Sequence, residues 1–218
     1  MRVTTWENCE GHLKNHFHDF DNLKINRITT PLIEKFISTR RKQGINIYTL
    51  RKILVTLGQI MAHAVRHKYI DYNPVREAER PRVSGAEVKG IRVLTPQEIQ
   101  RFLNAVTDQK YRMLFLLAVM SGARQGELLG LKWSDLDLIN NQIHIQRTFT
   151  KGRFFDTKTR YSRRKIDLGP MVILELKKWK LACPKSDLDL MFPNEAGQPM
   201  NYSNMYFITA LKKLAYQE

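Results

Sequence analysis

The residue types best suited to chemistry fall in one short stretch, Ser121-Gly-Ala-Arg-Gln-Gly-Glu-Leu-Leu-Gly-Leu-Lys-Trp-Ser-Asp-Leu-Asp137. Arg124 carries a planar guanidinium whose donors can engage two oxygens of a phosphate at once. Glu127 follows one helical turn later, a spacing that brings side chains onto one helix face. It could accept from the guanidinium and hold it in place. It could equally serve an early helical turn by complementing the macrodipole. Gly122 and Gly126 would let backbones approach closely at a crowded site. Leu128, Leu129, Leu131 and Trp133 read as core.

A second chemical feature is the density of positive charge. The nineteen residues Arg147 to Lys165 hold eight basic side chains and one acid, Asp156. The basic residues are Arg147, Lys151, Arg153, Lys158, Arg160, Arg163, Arg164 and Lys165. Charge runs are usually solvated faces, but this density favours phosphate contact. Nearer the front, Arg40, Arg41 and Lys42 close one expected helix, and Arg51 and Lys52 open the next. Asn46, Tyr48 and Thr49 lie between them. A helix start with such residues suits phosphate contact or groove entry, with a solvated turn as the alternative.

These groups need elements to position them, and the pattern predicts mostly helices. A short helix is expected over Trp6–Phe17. Thr30-Pro31 has the cap-and-proline signature of a helix start, with Leu32, Ile33, Phe36 and Ile37 as its apolar face and Gly44 as its end. A longer helix is expected from about Asn46 to Thr49, stopping before Asn73-Pro74 because the residue before proline avoids the helical region. Residues 1–75 therefore read as a compact helical domain. Residues 76–94, charged and broken by Pro81, Gly85 and Gly90, read as a linker. Residues 95–218 form a second domain that opens on Thr95 with Glu98 as a capping box. Tyr111–Met120 is apolar almost all round, as a buried helix is. Gln142–Arg147 and Arg164–Leu168 alternate like half-buried strands of a small antiparallel sheet. Pro170 starts another helix, and a last one is expected from near Tyr202. The fold class is thus mainly α with a small antiparallel β-sheet.

Bulk properties narrow the partner. Lys and Arg outnumber Asp and Glu by 36 to 21 among 218 residues, for a net charge of +15. Such an imbalance is an electrostatic footprint for nucleic acid, with an anionic membrane surface as the alternative. The longest apolar run, Met113–Met120, is far too short to span a bilayer. The N-terminus lacks an apolar signal-peptide region. Two distant cysteines, Cys9 and Cys183, have no metal-ligand spacing and fit a reducing cytoplasm.

The stretch from Gly122 through Arg124, Gly126, Glu127, Leu131, Trp133 and Asp135 to Asp137 resembles the first catalytic box of tyrosine recombinases, the phage integrase family. The likeness extends to the helical front part, which resembles the family's core-binding domain. It also covers Asp156-Thr-Lys158-Thr-Arg160 and Ser162–Gly169, which resemble the family's sheet and lysine-bearing hairpin. The resemblance implies a partial α+β catalytic domain behind an all-helical one. It implies double-stranded DNA as the partner, clamped between the two domains, and strand transfer through a phosphotyrosyl link. Arg124 would hold the phosphate oxygens as charge builds on them, with Glu127 supporting it. Lys158 matches the family's proton-donating lysine, although Lys151 and Lys165 belong to the same expected hairpin. No metal or cofactor is implied.

The family's site also requires a His-x-x-Arg box and a nucleophilic tyrosine further along. His63-Ala-Val-Arg66 has that spacing but precedes Arg124, so it reads as a decoy on a helix surface. Tyr202, Tyr206 and Tyr216 precede the place for the missing box. The expectation is therefore a chain that binds DNA, carries part of the site and does not cleave alone. The family works as tetramers, whereas a monomer is expected here. The alternatives are a non-catalytic DNA-binding remnant and an unrelated basic helical protein that binds RNA.

Overall fold

The structure, a computed structural model, describes residues 3–82, 92–156 and 163–200. The chain divides into two compact units, residues 1–91 and 92–218, each with its own hydrophobic core.

The first unit is helical: α1 (Val3–His16), α2 (Thr30–Lys42), α3 (Ile47–Arg66) and α4 (Pro74–Glu77). The apolar face of α2 buries Ile33, Phe36 and Ile37 against Leu50, Ile53, Leu57 and Met61 of α3. Thr29, not Thr30, occupies the cap position of α2. Gly44, at φ 79°, turns the chain after that helix, a conformation glycine adopts without a Cβ penalty. Asn46 caps α3 by accepting from the Tyr48 N–H at 2.8 Å. That helix stops at Arg66 because Lys68 takes a left-handed conformation at φ 59°.

Asn73-Pro74 starts an element instead of ending one. The Asn73 side chain accepts from the Val75 N–H at 3.0 Å and donates to the Gly58 carbonyl at 2.9 Å. Val75 and Ala78 are buried in the first core, and Arg51 donates to the Pro81 carbonyl. Residues 76–82 of the segment expected as a linker therefore stay against the first unit.

The second unit begins with α5 (Pro96–Ala105). Its capping box forms as the sequence predicts: the Glu98 N–H donates to Thr95 Oγ1, and the Thr95 N–H donates to Glu98. Next come α6 (Gln109–Ser121), α7 (Gln125–Leu129), β1 (Leu136–Asp137), β2 (Gln142–Ile145), β3 (Arg147–Thr150), β4 (Arg153–Asp156), β5 (Arg164–Asp167) and α8 (Pro170–Ala182). Helix α6 buries Met113, Leu114, Phe115 and Leu117, but Val119 and Met120 are exposed, so it is less enclosed than its composition suggests. Leu114, Leu117, Leu129, Ile143, Ile145 and Leu176 form the centre of the core.

Among the described residues, the strands make two small antiparallel sheets. One has the order β1-β2-β5, with Ile143 opposite Ile166; the other pairs β3 with β4, with Phe149 opposite Phe154. The run Gln142–Arg147, expected as one strand, breaks at Gln146. The Gln146 side-chain amide donates to buried Asp135 at 3.1 Å, which draws the chain out of the first ladder and lets β3 pair elsewhere. The expected helix from Tyr202 lies outside the described residues.

Candidate functional site

Helix α6 ends where Gly122 adopts φ 59° and its N–H returns to the Ala118 carbonyl at 3.0 Å. An added Cβ at Gly122 would meet nothing within 4 Å. Gly122 is thus a left-handed helix terminator and not the close-approach residue the sequence suggests. Gly126 does fill that role. A Cβ there would lie 2.4 Å from Thr148 Oγ1 and 3.0 Å from the Phe149 carbonyl oxygen, so α7 rests directly on β3.

Between these glycines, Arg124 leads into α7. Its side chain is 76% exposed, whereas that of Glu127 is 5% exposed. The Glu127 carboxylate accepts the Arg124 backbone N–H at 2.9 Å and Arg124 Nη1 at 3.0 Å. The carboxylate therefore fixes both the start of the short helix and the guanidinium above it. It has a second cation: Arg164, at the start of β5, donates Nη2 to Oε2 at 2.8 Å and Nη1 to Oε1 at 3.3 Å. Burial pushes the Glu127 carboxyl up. The hydrogen bonds from Arg164, then those from the Arg124 backbone and side chain, outweigh it and hold the group below the usual carboxylate range. Glu127 is thus an anion that hydrogen-bonds both the backbone at the start of α7 and the Arg124 guanidinium.

Arg164, expected among the DNA contacts, has its guanidinium engaged on Glu127. Arg147 is a similar case. It donates to Asp135, which is 2% exposed, and so ties β3 to the turn after α7. Arg40 is also committed internally. Its guanidinium donates to Asp19, the His16 carbonyl and Gln43, each at 2.9 Å, and lies over the Phe36 ring. Its side chain is 12% exposed. Arg51 spends Nε and Nη2 on the Pro81 carbonyl.

The other basic candidates remain at the surface. Arg41, Lys42, Tyr48, Thr49 and Lys52 are exposed around the start of α3, as is the capping Asn46. Lys151 and Arg153 are exposed on the β3–β4 hairpin, and Arg163 is exposed with a loose ion pair to Asp156 at 3.7 Å. Lys151 and Lys165 do not share a hairpin. Lys151 sits in the β3–β4 turn, while Lys165 lies opposite His144 in the other sheet. Lys158 and Arg160 lie outside the described residues, as do Tyr202, Tyr206 and Tyr216. His63 and Arg66 are exposed at the end of α3. Cys9 and Cys183 are free thiols. Among the described residues, no group of His, Cys, Asp or Glu has the arrangement of a metal site, and no helix is long and apolar enough to cross a membrane.

The pairings of Glu127 with Arg164 and of Asp135 with Arg147 were not legible locally. Their partners stand 37 and 12 positions apart, and no helical or strand period links them.

Comparison with known proteins gives a consistent picture. Residues 92–218 match the model of the phage integrase family, and residues 2–80 match that of the phage integrase SAM-like domain. A tyrosine recombinase XerC-like protein of Caldanaerobacter subterraneus subsp. tengcongensis is 28% identical over 174 residues, covering 78% of this chain and 44% of that protein. The ICEBs1 integrase of Bacillus subtilis is 26% identical, covering 78% of this chain and 46% of its own. The chain thus spans less than half the length of these two relatives. In fold it is similar to the Tn1549 transposon integrase, solved in complex with a circular intermediate DNA. The TM-score is 0.85 at 20% identity, over 100% of this chain and 75% of the other.

Proposed function

Because the chain belongs to the phage integrase family, we propose that it serves site-specific recombination of double-stranded DNA and supplies the electrostatic share of the strand-transfer site. The observation that carries this reading is the buried Glu127 carboxylate holding an exposed Arg124 guanidinium by Nη1. In the family's reaction a tyrosine oxygen attacks the DNA phosphorus, the 5′-oxygen leaves, and a phosphotyrosyl bond preserves the linkage for rejoining. Charge grows on the non-bridging oxygens as attack proceeds. A guanidinium already fixed in place stabilises that charge without reorganising.

Arg124 is the residue assigned to those oxygens, with Glu127 as its support. Lys158 is assigned, by its position in Asp156-Thr-Lys158-Thr-Arg160, to protonate the leaving oxygen. Around this centre, Lys151, Arg153, Arg160 and Arg163 are assigned to flanking phosphates. In the first unit, Arg41, Lys42, Asn46, Tyr48, Thr49 and Lys52 are assigned to the duplex. Arg40 and Arg164 are withdrawn from that set because their guanidinia are spent on internal partners. Arg51 keeps at most a share of its fork for the DNA.

The test is binding of the chain to a DNA duplex across a salt series. Phosphate neutralisation releases counterions, so affinity should fall steeply with salt. Arg124→Ala should weaken binding and reduce the log–log slope by about 1. A flat salt response would overturn the reading.

A further inference from the structure

The carboxylate beneath Arg124 is shared, and its second partner makes a two-point guanidinium contact that the Arg124 guanidinium does not. Arg124 contacts Glu127 with one guanidinium nitrogen, on Oε1 alone. Arg164 spans the carboxylate, with Nη1 towards Oε1 and Nη2 towards Oε2. With the Arg124 backbone N–H on Oε2, each oxygen accepts two hydrogen bonds, which uses the full acceptor capacity of a carboxylate. The two-point contact is the one that sets the plane of the carboxylate, because a planar fork against a planar acceptor fixes rotation as well as distance. The single bond from the Arg124 guanidinium fixes neither for that guanidinium, and the Arg124 backbone N–H anchors Oε2 alone.

The burial pattern agrees. The Arg164 side chain is 31% exposed, against 76% for Arg124 and 5% for Glu127. The carboxylate and its fork lie lower, and the guanidinium they carry projects outward. Arg124 is the cap residue before α7 and Arg164 opens β5, so the carboxylate of α7 joins helix to sheet at this point.

We propose that Arg164 is a positioning residue for Arg124, acting through the plane of the Glu127 carboxylate and not by touching DNA itself. This rests on the reading of Arg124 as a phosphate clamp. Without Arg164, the Glu127 carboxylate keeps only the Arg124 backbone N–H and one guanidinium bond, so its plane can tilt and the direction of the Arg124 guanidinium loosens with it. Lysine at 164 keeps the charge but, as a single point donor, cannot span both oxygens.

Two measurements on the whole chain test this. In the free protein, the Arg124 guanidinium signal in nitrogen-15 NMR, identified by its loss in Arg124→Ala, should shift and exchange faster in Arg164→Lys. The thermal unfolding midpoint, a structural control, should stay close to that of the parent chain. An unchanged Arg124 signal overturns the proposal. In binding to a mixed-sequence DNA duplex, Arg164→Lys should cost about threefold or more in affinity when Arg124 is present, and nothing when Arg124 is alanine. An equal cost in both backgrounds shows an independent contact and overturns the proposal, as does a wild-type affinity for Arg164→Lys. If Arg124→Ala itself leaves duplex binding unchanged while the NMR signal responds, the phosphate-clamp reading falls and the positioning role stands.

Discussion

Arg147 and Asp135 form an ion pair in which the carboxylate is almost wholly shielded from solvent, at 2% exposure. Asp135 also accepts the Lys132 N–H at 2.8 Å and the Gln146 amide at 3.1 Å. One carboxylate therefore holds the turn after α7, the break between β2 and β3, and the first residue of β3. Since β3 is the surface on which α7 rests at Gly126, this pair supports the site without belonging to it.

Removing that carboxylate should be costly. Asp135→Ala leaves a largely buried guanidinium, an amide and a backbone N–H without their acceptor. Breaking such a pair from one side typically costs about 3–5 kcal/mol. Urea unfolding followed by Trp133 and Trp179 fluorescence, in a Trp6→Phe background, should show a lowered midpoint with an unchanged m-value. A midpoint within error of the parent would show that the pair contributes little.

Gly126→Ala tests the seat of α7 on β3. The new methyl would sit 2.4 Å from Thr148 Oγ1 and 3.0 Å from the Phe149 carbonyl oxygen. Side-chain overlap can relax, but the oxygen belongs to the backbone of a paired strand, which moves less readily. A loss of about 1–3 kcal/mol is expected from such overpacking. Adding Thr148→Ala removes the nearer atom and should recover part of the loss, not all of it. Complete recovery would mean that the Phe149 oxygen is no obstacle.

Much of this architecture was legible in the sequence because it is written in local signals. The Thr95–Glu98 capping box, the apolar faces of α2 and α3 and the helix start at Pro170 all depend on neighbours within one or two turns. The Ser121–Asp137 box was equally legible, since its residue types are tied to one another at short spacing. What escaped was long-range. Asn73-Pro74 looked like a stop because proline disfavours a preceding helix, yet the Asn73 amide reaches the Gly58 carbonyl and makes a start of it. Arg40, Arg147 and Arg164 looked like a DNA-facing set because charge alone does not reveal a buried partner. Nothing in the local pattern around Gln146 foretold that Asp135 would split one strand into two.

Arg40 and Lys52 offer a contrast between structural and surface cations. Arg40→Ala removes three hydrogen-bonded contacts and the stacking on Phe36. It should lower the stability of the first unit by about 1–3 kcal/mol and leave the salt slope of duplex binding as it is. Lys52, exposed beside the start of α3, should behave oppositely. Lys52→Ala should leave the unfolding midpoint unchanged and reduce the slope by about 1 if it meets a phosphate. Parallel urea and salt titrations read both. A slope change in Arg40→Ala would return Arg40 to the DNA surface.

The ionisation of Glu127 predicts an acid limit for the second unit. Its folded pKa lies below the ordinary value of 4.5: burial raises it, but the hydrogen bonds from Arg164 and Arg124 lower it further. A depressed carboxyl favours the folded state whenever the group is ionised in both states, above its unfolded value. That contribution is lost as the pH falls through the folded value, because protonation removes the acceptor for both guanidinia. Stability of the second unit should therefore begin to fall as the pH passes 4.5 and continue to fall below it. Asp137 and Glu98 are also depressed and add to the slope, so the parent profile alone does not isolate Glu127. Glu127→Gln does, because the amide is neutral at every pH. It should be less stable than the parent near neutrality, and the two curves should converge as the acid range is entered. Curves that stay parallel from neutral to acid pH would show that the charge on Glu127, as distinct from its shape, does not hold Arg124 and Arg164 together.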